Sequence, residues 1–149
     1  MTDHSHLDPR SDDGSTLILT IFYALLALVL VLLVVAATSL YLERKRLFTL
    51  ADGAALAGAE GFELDDVRPS ASGFRPLLDD DAVRSATVDY LGSASGQRFE
   101  ALELERAYSA DGVSATVTLS SSWRPPVLTV FVPAGLRLEA MANARSVFG

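Results

Sequence analysis

Hydrophobic positions change period twice along this chain. From Gly14 to Leu42 there is no period, because 29 successive residues carry no charge and the run LILTIFYALLALVLVLLVVAATSLYL is nearly all Leu, Val, Ala and Ile. From Leu47 the period becomes helical. Leu47, Leu50, Ala51, Ala54 and Gly58 fall at i, i+3, i+4, i+7 and i+11, and Ala51, Ala55 and Ala59 lie four apart on a neighbouring face. In the last third the period becomes two. Leu102 and Leu104 alternate with Glu103 and Glu105, and Val113, Ala115, Val117 and Leu119 alternate with Ser and Thr. Leu138, Ala140, Ala142 and Ala144 then oppose Arg137, Glu139, Met141, Asn143 and Arg145.

The first region predicts a membrane span. A helix rises about 1.5 Å per residue and the hydrocarbon slab is about 30 Å thick, so roughly 20 apolar residues cross it. A core helix is excluded because a chain of this size cannot bury such a run on every face. A cleaved secretory signal has a shorter apolar region after a basic start, whereas DPRSDDGS is acidic. A retained anchor is therefore expected, with Tyr23 and Tyr41 placed to meet the two interfaces. No proline interrupts the chain from Thr16 to Ala59. One continuous helix follows, some 44 residues and about 66 Å long, with Gly61 as its stop.

The expected organisation has five parts: a polar tail at 1–15, a transmembrane helix at 16–42, its extension at 43–60, a loop at 61–78 and a small α+β domain at 79–149. ELDDVRPSASGFRPLLDDD reads as loop from its Pro, Gly, Ser and Asp. DDDAVRSATVDYLG reads as a short helix, capped by Asp79 to Asp81, ended by Gly92, with Val83, Ala86, Thr87, Tyr90 and Leu91 as its apolar face. Asp111-Gly112 marks a hairpin, SSWRPP a break, and VLTVFV a further short strand. The fold class is α+β: a long N-terminal transmembrane helix continues into an Ala-rich helix, which packs on an antiparallel sheet of three or four strands. That sheet has one greasy face and needs a cover.

Composition narrows the chemistry. With no Cys there is no disulfide, thiolate nucleophile or Cys-based zinc site. The net charge of −7 leaves no basic footprint for nucleic acid. P-loop, GxGxxG, HExxH and GxSxG motifs are missing, and His4 and His6 both lie in the tail. The carboxylates at Asp65-Asp66, Asp79 to Asp81 and Glu103/Glu105 read as caps or solvated faces. A non-enzymatic protein is expected, with no cofactor, metal or small-molecule substrate and with membrane lipid as a partner. Trp123 and Arg124 form a candidate partner contact, the alternative being that Trp123 plugs the end of the sheet core. Arg44, Lys45 and Arg46 mark the membrane boundary. By the positive-inside rule they place the C-terminal side in the cytoplasm.

The segment DDGSTLILTIFYALLALVLVLLVVAATSLYLERKRLFTLADGAALAGAE, residues 12–60, resembles the N-terminal segment of TadE/TadG-like proteins of the tight-adherence (Tad, or Flp) pilus-assembly system. The shared pattern is a polar Gly-Ser entry, an uncharged helix, an Arg-rich exit and an Ala-rich ADGAALAGA. LRLEAMANARSVFG is similar to the alternating strand that often closes such proteins. The resemblance implies a minor-pilin-like or pseudopilin-like component of a pilus assembly and secretion machine, acting with other pilin-like proteins. It would be single-pass in the plasma membrane with its C-terminal domain extracytoplasmic, opposite to the charge rule. It also implies a prepilin-peptidase site at Gly14–Ser15, although Leu19 stands where pilins usually carry Glu and the leader is acidic. The alternative function is a bitopic envelope protein, unrelated to pili, whose small C-terminal domain binds a ligand or partner. Leu47, Leu50, Ala51, Ala54, Ala55 and Gly58 form the helix-packing or assembly face. Their small side chains admit either the chain's own sheet or a neighbouring copy's helix.

Overall fold

The computed structural model describes residues 10–61, 67–70, 73–76, 78–94, 99–125 and 135–145. Its elements are α1 (Arg10–Glu60), β1 (Val67–Ser70), β2 (Gly73–Pro76), α2 (Asp80–Ser93), β3 (Glu100–Tyr108), β4 (Ser114–Trp123) and β5 (Leu136–Arg145). They form two units, one ending at Thr38 and one beginning at Ser39.

In the first unit α1 carries the apolar run as helix. Leu25, Leu26, Leu28, Val29, Leu30 and Val31 are all exposed, which covers every direction around the axis. This helix is long and apolar enough to cross a membrane, and it fits a single-pass membrane protein. Two of its threonines close on their own backbone: the Thr20 hydroxyl donates to the Thr16 carbonyl at 2.8 Å and Thr38 to Val34 at 2.9 Å. Such local bonds let a hydroxyl sit in hydrocarbon without an orphan donor. The helix starts at Arg10, ahead of the expected Thr16. Once a long helix is nucleated, adding residues at its end costs little.

In the second unit the rest of α1 lies on a three-stranded antiparallel sheet of order β3-β4-β5. Leu47, Leu50, Ala51, Ala54 and Ala55 form one core with Val117 and Leu119 of β4 and Ala140 and Ala142 of β5. Ala59, Leu78, Val83 and Ala115 form a second. The fold is thus α+β as expected, with the Ala-rich stretch as the cover that the sheet needs. VLTVFV lies outside the described residues. The stretch expected as a loop carries a small antiparallel pair, with Val67 opposite Pro76 and Ser70 opposite Gly73. The prolines that argued for loop stand in this pair at Pro69 and at the terminal residue Pro76, where a short two-stranded edge tolerates a missing N–H.

The central strand β4 pairs with β5 in unbroken register from Ser114↔Arg145 to Trp123↔Leu136. Its pairing with β3 shifts twice, between Glu100 and Glu103 and between Leu104 and Arg106. Each shift inserts one extra residue into β3, and Ala101, in the first, has φ 48°. The second shift explains why the Leu102/Leu104 alternation passes on to Ala107, the next half-buried residue, not to Arg106.

α2 buries Val83 and Thr87 and half-buries Ala86, Tyr90 and Leu91, the expected face. The cap differs from expectation. Asp79 is the N-cap residue but makes no side-chain cap bond. Asp80 instead accepts the Ser109 N–H at 2.8 Å, and the Leu78 N–H donates to the Gly112 carbonyl at 2.9 Å. The acidic cluster thereby ties the start of α2 to the β3–β4 loop. In that loop Gly112 has φ 69°, the left-handed region that suits glycine. Asp111 Oδ1 accepts from the N–H groups of Val113 (3.0 Å) and Ser114 (2.7 Å) and from the Ser114 hydroxyl (2.7 Å). These bonds, those of Ser114 first, lower the Asp111 carboxyl to about 2.

Candidate functional site

The proposed assembly face is occupied within the chain. Leu47, Ala51, Ala54 and Ala55 are fully buried and Leu50 nearly so. At Gly58 an added Cβ would lie 3.1 Å from Thr87 Oγ1, 3.1 Å from Val83 Cγ1 and 3.3 Å from Ala115 Cβ. Of the two surfaces the small side chains could admit, this structure seats the chain's own sheet and α2. A second smooth row was missed from the sequence. Gly53, Ala57 and Gly61 lie four apart beside that face. A Cβ at Gly53 would run into the Tyr90 hydroxyl, and one at Gly61 would stand 2.5 Å from Ala86 Cβ. The four-residue repeat of small residues was the available signal.

Trp123 is buried, and its indole N–H donates to Ser39 Oγ at 3.4 Å. It therefore fills the end of the sheet core, the second of the two readings given for it above. The cause is strand parity: Ala115, Val117, Leu119, Ser121 and Trp123 share the inward face of β4. Ser121 Oγ, on the same face, is buried and has no hydrogen-bond partner among the described residues. Arg124, just past the strand, is exposed and pairs with Glu100 at 3.4 Å.

The outward face of the sheet is polar. Thr116, Thr118 and Ser120 are small and buried between longer neighbours. Glu105 accepts the Ser120 hydroxyl at 2.6 Å and pairs with Arg137, which also reaches Glu103 at 3.6 Å. The Ser120 hydrogen bond, the largest effect, holds the Glu105 carboxyl below its ordinary range; desolvation opposes it, and the Arg137 charge adds to the lowering. Asn143 Nδ2 donates to Thr116 Oγ1 at 2.9 Å. The network pairs the charges across strands. Among the described residues no group of three or more His, Asp and Glu could hold a metal ion. His4 and His6 lie outside the described residues.

Arg44, Lys45 and Arg46 are exposed one turn past the uncharged run, and Arg46 lies 3.9 Å from Glu43. Gly14 and Ser15 are exposed within α1, and a Cβ at Gly14 would meet nothing. Packing therefore gives no reason for glycine at that position.

An α+β domain with a long N-terminal apolar helix that fits a single membrane span defines the class. A family model described as putative Flp pilus-assembly TadE/G-like matches residues 14–61. The resemblance to TadE/TadG-like proteins therefore holds over the anchor and the Ala-rich continuation, about a third of the chain. No curated protein and no solved structure matches the chain.

Proposed function

We propose that this chain is a non-enzymatic, single-pass component of a Tad-type pilus assembly and secretion machine, a minor pilin or pseudopilin. The observation that carries it is the TadE/G-like match over residues 14–61, which supports involvement in Tad pilus assembly. Within that segment the exposed apolar span is the surface left for other membrane helices, since the smooth face beyond it is occupied by the domain. The C-terminal domain lies outside the cytoplasm, so the cations at Arg44, Lys45 and Arg46 run against the positive-inside rule.

Deleting the gene should abolish pilus assembly and surface adhesion, and supplying the full chain should restore both. Unchanged piliation and adhesion in the deletion strain overturns the reading. Orientation is checked by protease treatment of intact spheroplasts, in which residues 63–149 should be cut. Protection of that region would place the domain in the cytoplasm.

A further inference from the structure

Beside the cationic knot the second unit has a cleft of about 400 Å³, lined by Leu42, Glu43, Lys45, Arg46, Thr49, Leu50, Tyr90, Ala94 and Phe99. Leu42, Lys45, Arg46, Thr49 and Leu50 fall at i, i+3, i+4, i+7 and i+8, one stripe of α1. Tyr90, Ala94 and Phe99, from the end of α2 and the entry to β3, form the opposite wall. The two walls are mainly apolar, and the polar groups are two cations, the hydroxyls of Thr49 and Tyr90, and one carboxylate. That carboxylate, Glu43, is partly engaged by Arg46 at 3.9 Å. Among the described residues Lys45 makes no ion pair, and the Thr49 hydroxyl is turned to the Lys45 carbonyl at 3.0 Å.

We propose that this cleft binds an anionic phospholipid, with the phosphate on Lys45 and Arg46 and an acyl chain against Leu42, Tyr90 and Phe99. Three observations select that occupant. Leu42 both ends the charge-free run and lines the cleft, so on the single-span reading the site begins where the hydrocarbon ends. The cleft combines apolar walls with cations, as a molecule with a tail and a phosphate requires. Its cations outnumber its one carboxylate in a chain of net charge −7, in which Lys45 is the sole lysine. Basic residues at a membrane surface attract anionic lipid with a strength worth roughly a fivefold change in binding per residue. The proposal also gives the knot a role that holds on either side of the membrane.

The test uses the full chain purified in detergent with equal phosphatidylglycerol and phosphatidylcholine, and counts retained lipid by native mass spectrometry. Wild type should retain phosphatidylglycerol preferentially. Lys45→Gln with Arg46→Gln should lower that preference by roughly 25-fold, on the same fivefold scale. Thr49→Trp, an exposed position, fills the cleft with both charges intact and should lower it as well. Arg44→Gln, which removes a charge outside the lining, should change it little. The proposal is overturned if Thr49→Trp or the Lys45→Gln, Arg46→Gln double variant retains lipid like the parent, or if Arg44→Gln loses as much as the double variant. It is also overturned if a co-purifying polypeptide instead of lipid is lost from both cleft variants. Far-UV circular dichroism confirms that each variant is folded, and carbonate extraction confirms insertion. Because the assay needs no pilus, failure here leaves the pilus role standing, and failure of the pilus role leaves this site standing.

Discussion

The two parts of α1 are the same secondary structure solved for two different solvents. From Leu17 to Val31 the side chains are mostly large and apolar and all are exposed, as lipid demands. From Ala51 they are small on the packed side and exposed on the other: Ala51, Ala54, Ala55 and Ala59 are buried, while Asp52 and Glu60 are exposed. Lipid rewards apolar area and sets little limit on size. A sheet of Ala140, Ala142, Val117 and Leu119 sets a limit on size, because interiors are close-packed and an extra methylene must go somewhere. The contrast teaches that hydrophobicity alone does not distinguish an anchor from a core; side-chain volume and its period do.

Four changes test that contrast, beginning with the largest. Leu28→Arg with Leu30→Arg puts two charges mid-span at about 2.5–3.5 kcal/mol each, together about 5–7 kcal/mol. The double variant should appear in the carbonate-soluble fraction, while thermal unfolding of the domain in detergent stays unchanged. A coupled loss of domain stability would break the division into two units. Next, Leu47→Ala should destabilise the domain by about 2–5 kcal/mol, since Leu47 is fully buried. Leu30→Ala in the lipid-facing part should leave it unchanged. Denaturant titration followed by Trp123 fluorescence reads both.

Gly58→Leu drives a side chain into Thr87, Val83 and Ala115 and should cost about 1–3 kcal/mol. Ala37→Leu, at an exposed position of the first unit, should cost nothing measurable in the same titration. The smallest effect belongs to Asp111. Its carboxyl is lowered from 3.8 to about 2 in the folded chain, so its contribution is present above about pH 4 and fades as pH falls toward 2. Asp111→Ala should lower the melting temperature at pH 6, and the gap between variant and parent should narrow across that window.

Much of the fold was legible because periodicity reports burial directly. The α2 face, the β5 alternation and the continuity of α1 all follow from where apolar residues recur. The misses have identifiable causes. Asp79 heads a helix as its cap should, but Asp80 found a better donor in Ser109, 29 residues away, and no local rule can weigh that. The bulges in β3 leave little trace in EALELERAY, since an extra residue is invisible until a partner strand sets the register. Gly53 has low helix propensity, and only the packing shows that it seats Tyr90.

Chemistry that depends only on residue type and spacing was determined by the sequence itself: an anchor of membrane length, a smooth helical face, alternating strands and no Cys-based or motif-bearing catalytic centre. Tertiary structure alone decided what met that smooth face. A stripe of Ala and Gly accepts any close-packing surface. The choice between the chain's own sheet and a neighbour's helix turns on geometry, with the inward parity of β4 bringing Val117, Leu119 and Trp123 onto α1. The same packing set Tyr90, Ala94 and Phe99 opposite Lys45 and Arg46, a juxtaposition that residues roughly 45–55 positions apart do not advertise.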